Sequence, residues 1–264
     1  MTDMLTTQQG SLAYDDYGGE GPLLLLLPGA GDVRSEHRFL ASRLAAVGYR
    51  VVTMDLRGHG ESTASWSGYG VAATAADIVA AIRGMDAGPA TVIGNSFSPA
   101  AALWAAAEHP ALVSGVVAIS PHLDQDAGAL QRLALELTLR GPLAGPVWEK
   151  FYRGWYKSNP PSDLDEQVAL LREMMQEPLR RKAVRATLLA HRDGLDEKLS
   201  ALATPVLVIF GSEDDHFDTP HVAAADAAER TRGTAEIIDG AGHYPHVEYP
   251  EIAASMVRDF LDAD

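Results

Sequence analysis

Ser96 lies between a short apolar run and an alanine-rich segment, in the stretch ATVIGNSFSPAAALWAA at residues 90–106. Residues 91–93 have the pattern of a buried strand, and Pro99 stands where a proline commonly opens a helix. A serine at a sharp turn between strand and helix has an exposed hydroxyl close to a helix N-terminus, where developing negative charge is favoured. This position suits a nucleophile. The alternative is an ordinary turn with a capping serine.

The composition limits the kinds of site that the chain can carry. Its 264 residues, 47% hydrophobic and 22% charged, can bury a large core as one domain or as a domain with an insertion. It has no cysteine, which excludes a disulfide framework, a thiolate zinc site and a cysteine nucleophile. The formal net charge of -15 argues against nucleic acid or an anionic membrane surface as the main partner. No segment has the pattern of an export signal or a membrane span, so we expect a cytoplasmic location.

Short apolar runs alternate with helical patterns along most of the chain. Residues 23–27 predict a strand buried on both faces, and residues 5–17 predict a hairpin at a sheet edge. Further strands are predicted at 51–54, 91–93, 115–119, 205–210 and 235–238, and helices at 35–47, 69–85, after Pro99, and at 250–261. Strands that alternate with helices predict a parallel sheet covered on both sides.

The middle of the chain departs from this alternation. From Pro121 to Ala201 the sequence shows helical periodicity and turns but no strand pattern. This segment contains 12 basic and 12 acidic residues, whereas the remainder contains 9 and 24, so the whole charge imbalance lies outside it. We therefore expect an α/β core from residues 1–120 and 202–264 and a helical insertion at 121–201.

Several motifs occur in an order that resembles the α/β-hydrolase family, here with a helical cap, over nearly the full chain. LLLLLPGAG at 23–31 resembles the family's strand and the turn that carries an oxyanion donor. DLRGHGES at 55–62 resembles its structural turn before the nucleophile strand, and GNSFS at 94–98 resembles its nucleophile elbow. GSEDD at 211–215 and GAGHYP at 240–245 resemble the loops that carry the acid and the base. The resemblance implies the α/β-hydrolase fold, a mostly parallel central sheet flanked by helices.

The resemblance also implies the catalytic residues. Ser96 would be the nucleophile, His243 the base and Asp214 the acid, which is the chain order that this fold uses. The backbone N–H groups of Ala30 and Phe97 would hold the oxyanion. No cofactor is expected.

Two residues differ from the usual family pattern, and one position varies within it. Pro28 replaces a histidine, and Ser98 stands where the elbow commonly has glycine. Asn95, before the nucleophile, is a variation seen among carbon–carbon bond hydrolases as well as esterases.

Other acidic and histidine residues offer alternatives. Asp215 competes with Asp214 for the acid role, and Asp124 is a more remote candidate. The acidic and histidine residues at 214–221 could also form a metal site. Their spacing matches no particular metal motif, so we expect no metal there. These are Asp214, Asp215, His216, Asp218 and His221.

Two histidines outside that group are given non-catalytic roles. His59 is expected to stabilise the 55–62 turn together with Arg57 and Ser62. His246 is expected at the rim or the surface.

An aromatic group in the insertion has spacings that place several members on one helix face. Core packing is the simpler explanation, but a cap also packs over the cleft where this class of sheet binds ligands. We expect Trp148, Tyr152 and Trp155 to contact substrate. The other members are Phe151 and Tyr156.

The sequence therefore predicts a serine hydrolase that cleaves an ester of a small hydrophobic or aromatic molecule through an acyl-enzyme. One alternative is a carbon–carbon bond hydrolase, lyase or cyclase that uses the same residues. The other is a ligand-binding member of the fold without catalysis. No motif bears on the oligomeric state.

Overall fold

The computed structural model describes residues 2–124, 129–141 and 143–263. In this part of the chain, eight strands form one sheet in the order β1-β2-β4-β3-β5-β6-β7-β8. The strands are β1 (Thr2–Thr6), β2 (Ser11–Asp16), β3 (Leu23–Leu27), β4 (Arg50–Met54), β5 (Ala90–Asn95), β6 (Val113–Ile119), β7 (Val206–Gly211) and β8 (Thr234–Ile238). In this spatial order, all neighbouring strands from β4 through β3 to β8 are parallel. The α/β-hydrolase sheet predicted from the sequence is confirmed.

The helices of the sheet layers follow the strands. They are α1 (Arg38–Ala46), α2 (Val71–Met85), α3 (Ser98–Glu108), α9 (Pro220–Thr231), α10 (Pro245–Glu248) and α11 (Pro250–Asp262), and α4 to α8 lie between β6 and β7. The helix predicted at 35–47 is divided, because a short 3-10 turn at Arg34–His37 precedes α1. The predicted N-terminal hairpin is confirmed as β1 paired antiparallel with β2 at the sheet edge.

The leucine run of β3 shows why the sheet is covered on both faces. All five leucines are 0% exposed. Successive side chains of a strand point to opposite faces, so Leu23, Leu25 and Leu27 join one apolar cluster and Leu24 and Leu26 join the other. Each buried leucine stabilises the fold by about 1.5–3 kcal/mol relative to an exposed one.

The segment between β6 and β7 is helical where the structure describes it. Its helices are α4 (Ala129–Thr138), α5 (Ala144–Gly154), α6 (Leu164–Met174), α7 (Pro178–Leu188) and α8 (Leu195–Ala201). A third apolar cluster joins these helices to loops of the sheet, with Trp148 and Tyr152 packed near Val33 and Tyr244. Among the described residues, no helix combines the length and apolar character that a membrane crossing requires.

Candidate active site

Ser96 follows β5 directly and has φ of 58°, in the left-handed region. A residue other than glycine in this conformation carries strain, commonly about 1–3 kcal/mol, which the surrounding structure must offset. Close packing of strand against helix explains Gly94: a Cβ there would lie 2.9 Å from Pro99 N and 3.0 Å from Ser98 Cβ. The turn therefore has the strained geometry that the sequence predicts.

His243 and Asp214 form a buried pair at the ends of neighbouring strands. His243 Nδ1 lies 2.9 Å from Asp214 Oδ2, and both side chains are almost completely buried. Asp214 Oδ1 also accepts a hydrogen bond from His216 N at 3.2 Å. Burial acts to raise the pKa of Asp214, but the charge and the hydrogen bond of His243 outweigh it and hold this pKa below its usual range. The carboxylate is therefore ionised and orients the imidazole.

The competing acids pair with basic residues instead of His243. Asp215 is exposed and forms an ion pair with Lys157, with Nζ 2.6 Å from Oδ2. Asp124 is also exposed and pairs with Arg230 at 2.8 Å. Of the carboxylates considered for the acid role, only that of Asp214 contacts His243.

Asn95 connects the turn of Ser96 to the loop of His243. Its Nδ2 donates a hydrogen bond to the carbonyl oxygen of His243 at 3.2 Å, and its side chain is completely buried. The residue in front of the serine therefore sets the distance between two loops that are far apart in sequence.

The carboxylate of Glu248 stabilises the His243 loop from behind. Its Oε1 accepts a hydrogen bond from Gly242 N at 2.6 Å. Its Oε2 accepts from the backbone amides of 157–159, at 3.0, 2.9 and 3.0 Å. In addition, His243 N donates to Trp155 O at 3.0 Å. His243 is thus positioned jointly by Glu248 and by the segment that follows α5. Sequence reasoning missed Glu248, because no motif marks it.

The amides of Ala30 and Phe97 were expected as oxyanion donors. Both residues line the same cavity as Ser96. Within the part of the chain that the structure describes, neither N–H donates to a backbone carbonyl. Their place in the wall of this cavity is compatible with the expected role.

A buried carboxyl group supports the loop of Ala30. Glu36 Oε2 accepts a hydrogen bond from Gly29 N at 2.8 Å, and Glu36 Oε1 lies 3.1 Å from His246 Nε2. Burial raises the pKa of Glu36 to about 8 and lowers that of His246 to about 3. The expectation that His246 lies at the rim or surface is wrong: it is 0% exposed, because the short helix α10 packs this side chain against Glu36 and His37.

A cavity of about 440 Å³ lies between the sheet and the helices that follow β6. Ser96 and His243 line it together with Trp148 and Trp155, two of the predicted substrate contacts. Tyr152, the third, is not among the described residues that line it. Tyr152 is 0% exposed and its hydroxyl accepts a hydrogen bond from Tyr156 at 3.0 Å, so core packing accounts for this side chain. The other lining residues are Gly29, Ala30, Phe97, His122, Asp124, Arg132, Leu135, Phe151, Leu188, Arg192, His216 and Tyr244.

Two histidines beside His243 were not assigned to the active site by sequence reasoning. His216 stacks on His243 with ring centroids 3.8 Å apart, and His122 Nε2 lies 3.3 Å from His216 Nδ1. Burial, with repulsion from His243, lowers the pKa of His122 to about 3 and that of His216 to about 2. Both imidazoles are therefore neutral near pH 7.

The metal cluster considered from the sequence does not assemble as a unit. Asp215 and His221 are exposed, and Asp218 lines a different surface cavity. Asp214 and His216 are the members that reach the site of His243.

The 55–62 turn has the interactions of a structural element. Arg57 forms two hydrogen bonds to Asp77, at 2.7 and 2.6 Å. The Ser62 hydroxyl donates to Asp55 O at 3.2 Å, and His59 Nδ1 donates to Arg57 O at 3.0 Å. His59 is completely buried and is not among the described residues that line the cavity.

Comparisons with known proteins agree with this architecture. A curated relative, 2-(acetamidomethylene)succinate hydrolase from Mesorhizobium japonicum, is 28% identical over 257 residues, which span 93% of this chain and 90% of the relative. A thermophilic esterase from Thermogutta terrifontis superposes with a TM-score of 0.82 at 23% identity, over 100% of this chain and 98% of that one. A bromoperoxidase from Bacillus anthracis superposes with a TM-score of 0.85 at 17% identity, over 99% of this chain and 100% of that one.

The family model described as the alpha/beta hydrolase family matches residues 24–255, which include β3, the turn of Ser96 and the loop of His243. The chain therefore belongs to the α/β-hydrolase family.

Proposed function

We propose that this hydrolase is a serine hydrolase that cleaves an ester of a small hydrophobic or aromatic molecule. The observation that carries the proposal is the buried Asp214–His243 pair in the same cavity as a strained Ser96. An ionised carboxylate on Nδ1 holds the imidazole in the tautomer whose Nε2 can accept a proton.

The chemistry follows from these positions. His243 Nε2 takes the proton of the Ser96 hydroxyl as Oγ attacks the carbonyl carbon of the ester. The Ala30 and Phe97 amides stabilise the oxyanion, and His243 then donates the proton to the leaving alkoxide. Water attacks the acyl-enzyme by the same route, with His243 as base, and releases the acid and free Ser96.

The surroundings of the Ser96 hydroxyl are compatible with this route. Within residues 2–124, 129–141 and 143–263, the Ser96 hydroxyl has no protein hydrogen-bond partner, so it is open to the cavity. Hydrogen bonds between nucleophile and base are often long without substrate and shorten in the complex.

The cavity supports a small, partly apolar substrate. Its volume of about 440 Å³ suits a small molecule, and Trp148, Trp155 and Leu188 provide apolar walls. We also propose that residues 121–201 act as a cap over a core of residues 1–120 and 202–264, because side chains from α4, α5 and α7 line the cavity that contains Ser96. The names of similar proteins, an esterase and an acetamidomethylene succinate hydrolase, support hydrolysis of a carboxylic acid derivative.

Covalent labelling tests the nucleophile without a known substrate. A fluorophosphonate probe should modify wild-type protein at Ser96, as peptide mass spectrometry would show. Ser96→Ala should abolish labelling and lower kcat about 10⁶-fold. Ser42→Ala, in an exposed serine of α1, is the matched control and should label fully. Labelling that survives in Ser96→Ala would refute the assignment.

A substrate panel tests the reaction class. Aryl and aliphatic esters, short polar esters and β-diketones would be assayed under one set of conditions. We expect the highest kcat/KM for apolar or aromatic esters. Turnover confined to β-diketones would instead establish carbon–carbon bond cleavage, and turnover confined to short polar esters would contradict the proposed substrate.

A further inference from the structure

Three imidazoles meet at one side of the cavity, contributed by different loops. His122 follows β6, His216 follows β7 and His243 follows β8. One ligand nitrogen from each lies within 4.8 Å of the other two, and all three residues line the cavity. Neither the proposed proton transfer nor the oxyanion contacts use His122 or His216.

We propose that His122, His216 and His243 together form a binding site for a divalent transition-metal ion such as Zn²⁺, and that the bound ion suppresses hydrolysis by occupying the base. Imidazole nitrogen is a preferred ligand of Zn²⁺, and sites with three protein ligands leave a fourth position open. The suppression rests on the proposed role of His243, whereas the binding does not.

The spacing of the nitrogens suits such an ion. Zn–N distances of about 2.0–2.1 Å place tetrahedral ligand nitrogens about 3.3–3.4 Å apart. His122 Nε2 and His216 Nδ1 are already 3.3 Å apart. His216 is stacked on His243, so we expect the His216 ring to turn on binding until its nitrogen faces the ion, while His243 keeps its contact with Asp214.

Carboxylate and backbone contacts orient these ligands. The Nδ1–H group of His243 donates a hydrogen bond to Asp214, which leaves Nε2 for the ion. The same carboxylate accepts a hydrogen bond from the backbone N–H of His216. Carboxylate–histidine pairs of this kind are the usual second layer of a zinc site. His122 N donates to Ser96 O at 2.9 Å, and the His122 ring stacks on Phe217 at 4.6 Å. These contacts therefore restrain two of the three ligands, His122 and His243.

The consequence for catalysis is direct. A metal ion on His243 Nε2 takes the lone pair that must accept the Ser96 proton, so a metal-bound molecule cannot activate its serine. Water would occupy the fourth coordination position. Chelation of the ion should restore activity without refolding.

Cobalt spectroscopy tests binding independently of activity. Untagged Ser96→Ala protein, treated with chelator and dialysed, would be titrated with Co²⁺. We expect one ion per chain, with the visible d–d absorption of a four-coordinate site, and displacement by Zn²⁺. His122→Gln and His216→Gln should each weaken binding by more than about 100-fold, beyond the 10–100-fold typical of losing an orienting carboxylate.

Two controls separate this site from chance binding. His221→Gln, in an exposed histidine, should bind Co²⁺ like its parent, and Asp214→Asn should weaken binding about 10–100-fold. Thermal melting without metal would verify that each variant is folded. Unchanged affinity in His122→Gln and His216→Gln, or an equal loss in His221→Gln, would overturn the proposal.

The inhibitory effect is measured by fluorophosphonate labelling of wild-type protein. Zn²⁺ should slow labelling of Ser96, and chelator should restore the rate. If wild-type protein is not labelled even without metal, the serine mechanism fails while the cobalt result still decides the metal site. If labelling proceeds equally fast with saturating Zn²⁺ bound, the inhibitory part is refuted.

Discussion

The hydroxyl of Ser98 donates a hydrogen bond to the carbonyl oxygen of Pro28, and both residues are buried. These are the two positions at which the sequence departs from the usual pattern of the family. Pro28 follows β3 and Ser98 is the first residue of α3, so the bond joins the helix that follows Ser96 to the loop of Ala30. The hydroxyl at position 98 thus stabilises the loop that carries the proline.

Ser98→Ala should therefore lower both stability and activity. Removal of the hydroxyl leaves the buried Pro28 carbonyl without this donor, which costs about 1–3 kcal/mol. We expect this loss in urea unfolding, together with a lower kcat/KM because the Ala30 amide is held less firmly. Ser42→Ala, on the surface of α1, should change neither quantity. A Ser98→Ala protein with wild-type stability would show that the bond contributes nothing.

Asp214→Asn should remove most activity while Asp215→Asn leaves it intact. An amide at position 214 cannot stabilise the imidazolium and favours the wrong tautomer, a change that costs about 10⁴-fold in kcat in other triads. Asp215 contacts Lys157 at the surface, so its replacement should alter kcat less than about twofold. Esterase assays of the two purified variants provide the comparison. The reverse ranking would transfer the acid role to Asp215.

Glu248→Gln should destabilise the His243 loop. The carboxylate accepts hydrogen bonds from Gly242 and from the backbone of 157–159, and an amide replaces one acceptor oxygen with a donor. Hydrogen bonds to charged groups are worth about 1.5–3 kcal/mol each, so we expect a loss of at least about 2 kcal/mol in the free energy of unfolding.

Glu251→Gln is the matched control for this variant. Glu251 pairs with Arg43 at the surface, where solvent screens the interaction, so Glu251→Gln should change the free energy of unfolding much less than Glu248→Gln. Equal effects of the two substitutions in urea unfolding would contradict the role of Glu248.

Gly31→Ala tests the packing of Trp148 against the loop of Ala30. Gly31 has φ of 85°, and a Cβ there would lie 2.1 Å from Trp148 Cζ2. Gly88 has nearly the same φ, 82°, with nothing within 4 Å of its Cβ position. Both alanine variants incur the left-handed penalty, about 1–2 kcal/mol, but only Gly31→Ala adds about 1–3 kcal/mol of steric strain. Thermal melts of both should show this difference, and equal shifts would mean that Trp148 can move aside freely.

His59 should make the protein less stable in mild acid. Burial lowers its pKa in the folded state to about 4, from the ordinary 6.5. Between pH 6.5 and pH 4 His59 is protonated in the unfolded chain but not in the folded protein. The free energy of unfolding is therefore undiminished above pH 6.5 and falls as the pH approaches 4. At pH 4 this difference in proton binding lowers the free energy of unfolding by about 3 kcal/mol.

His59→Gln removes this titration. The raised pKa of Glu36 has the opposite effect: between its ordinary value of 4.5 and about 8, it makes the protein more stable as the pH falls. The test therefore compares the pH dependence of stability in the variant with that in the wild-type protein. Urea unfolding from pH 7 to pH 4 should show a shallower decline for His59→Gln, by about 3 kcal/mol. His221→Gln, in an exposed histidine, should follow the wild-type curve. Parallel curves for His59→Gln and wild type would refute the assignment.

The sequence by itself determined the strands and the turn of Ser96. Apolar runs such as Leu23–Leu27 are local patterns, and burial on two faces of a sheet needs no knowledge of distant residues. The glycine at position 94 and the proline at position 99 likewise act within a few residues of the serine. The fold and the strained turn at Ser96 were therefore predictable.

Only the tertiary structure decided which side chains meet Ser96 and His243. Asp214 and Asp215 are adjacent in sequence, and the direction of the turn after β7 places one on the imidazole and the other on Lys157. His122 reaches His216 across 94 positions, and the buried site of His246 depends on how α10 packs. Contacts of this range carry no periodic signal in the chain, because they arise only where the carboxyl ends of parallel strands bring separate loops together.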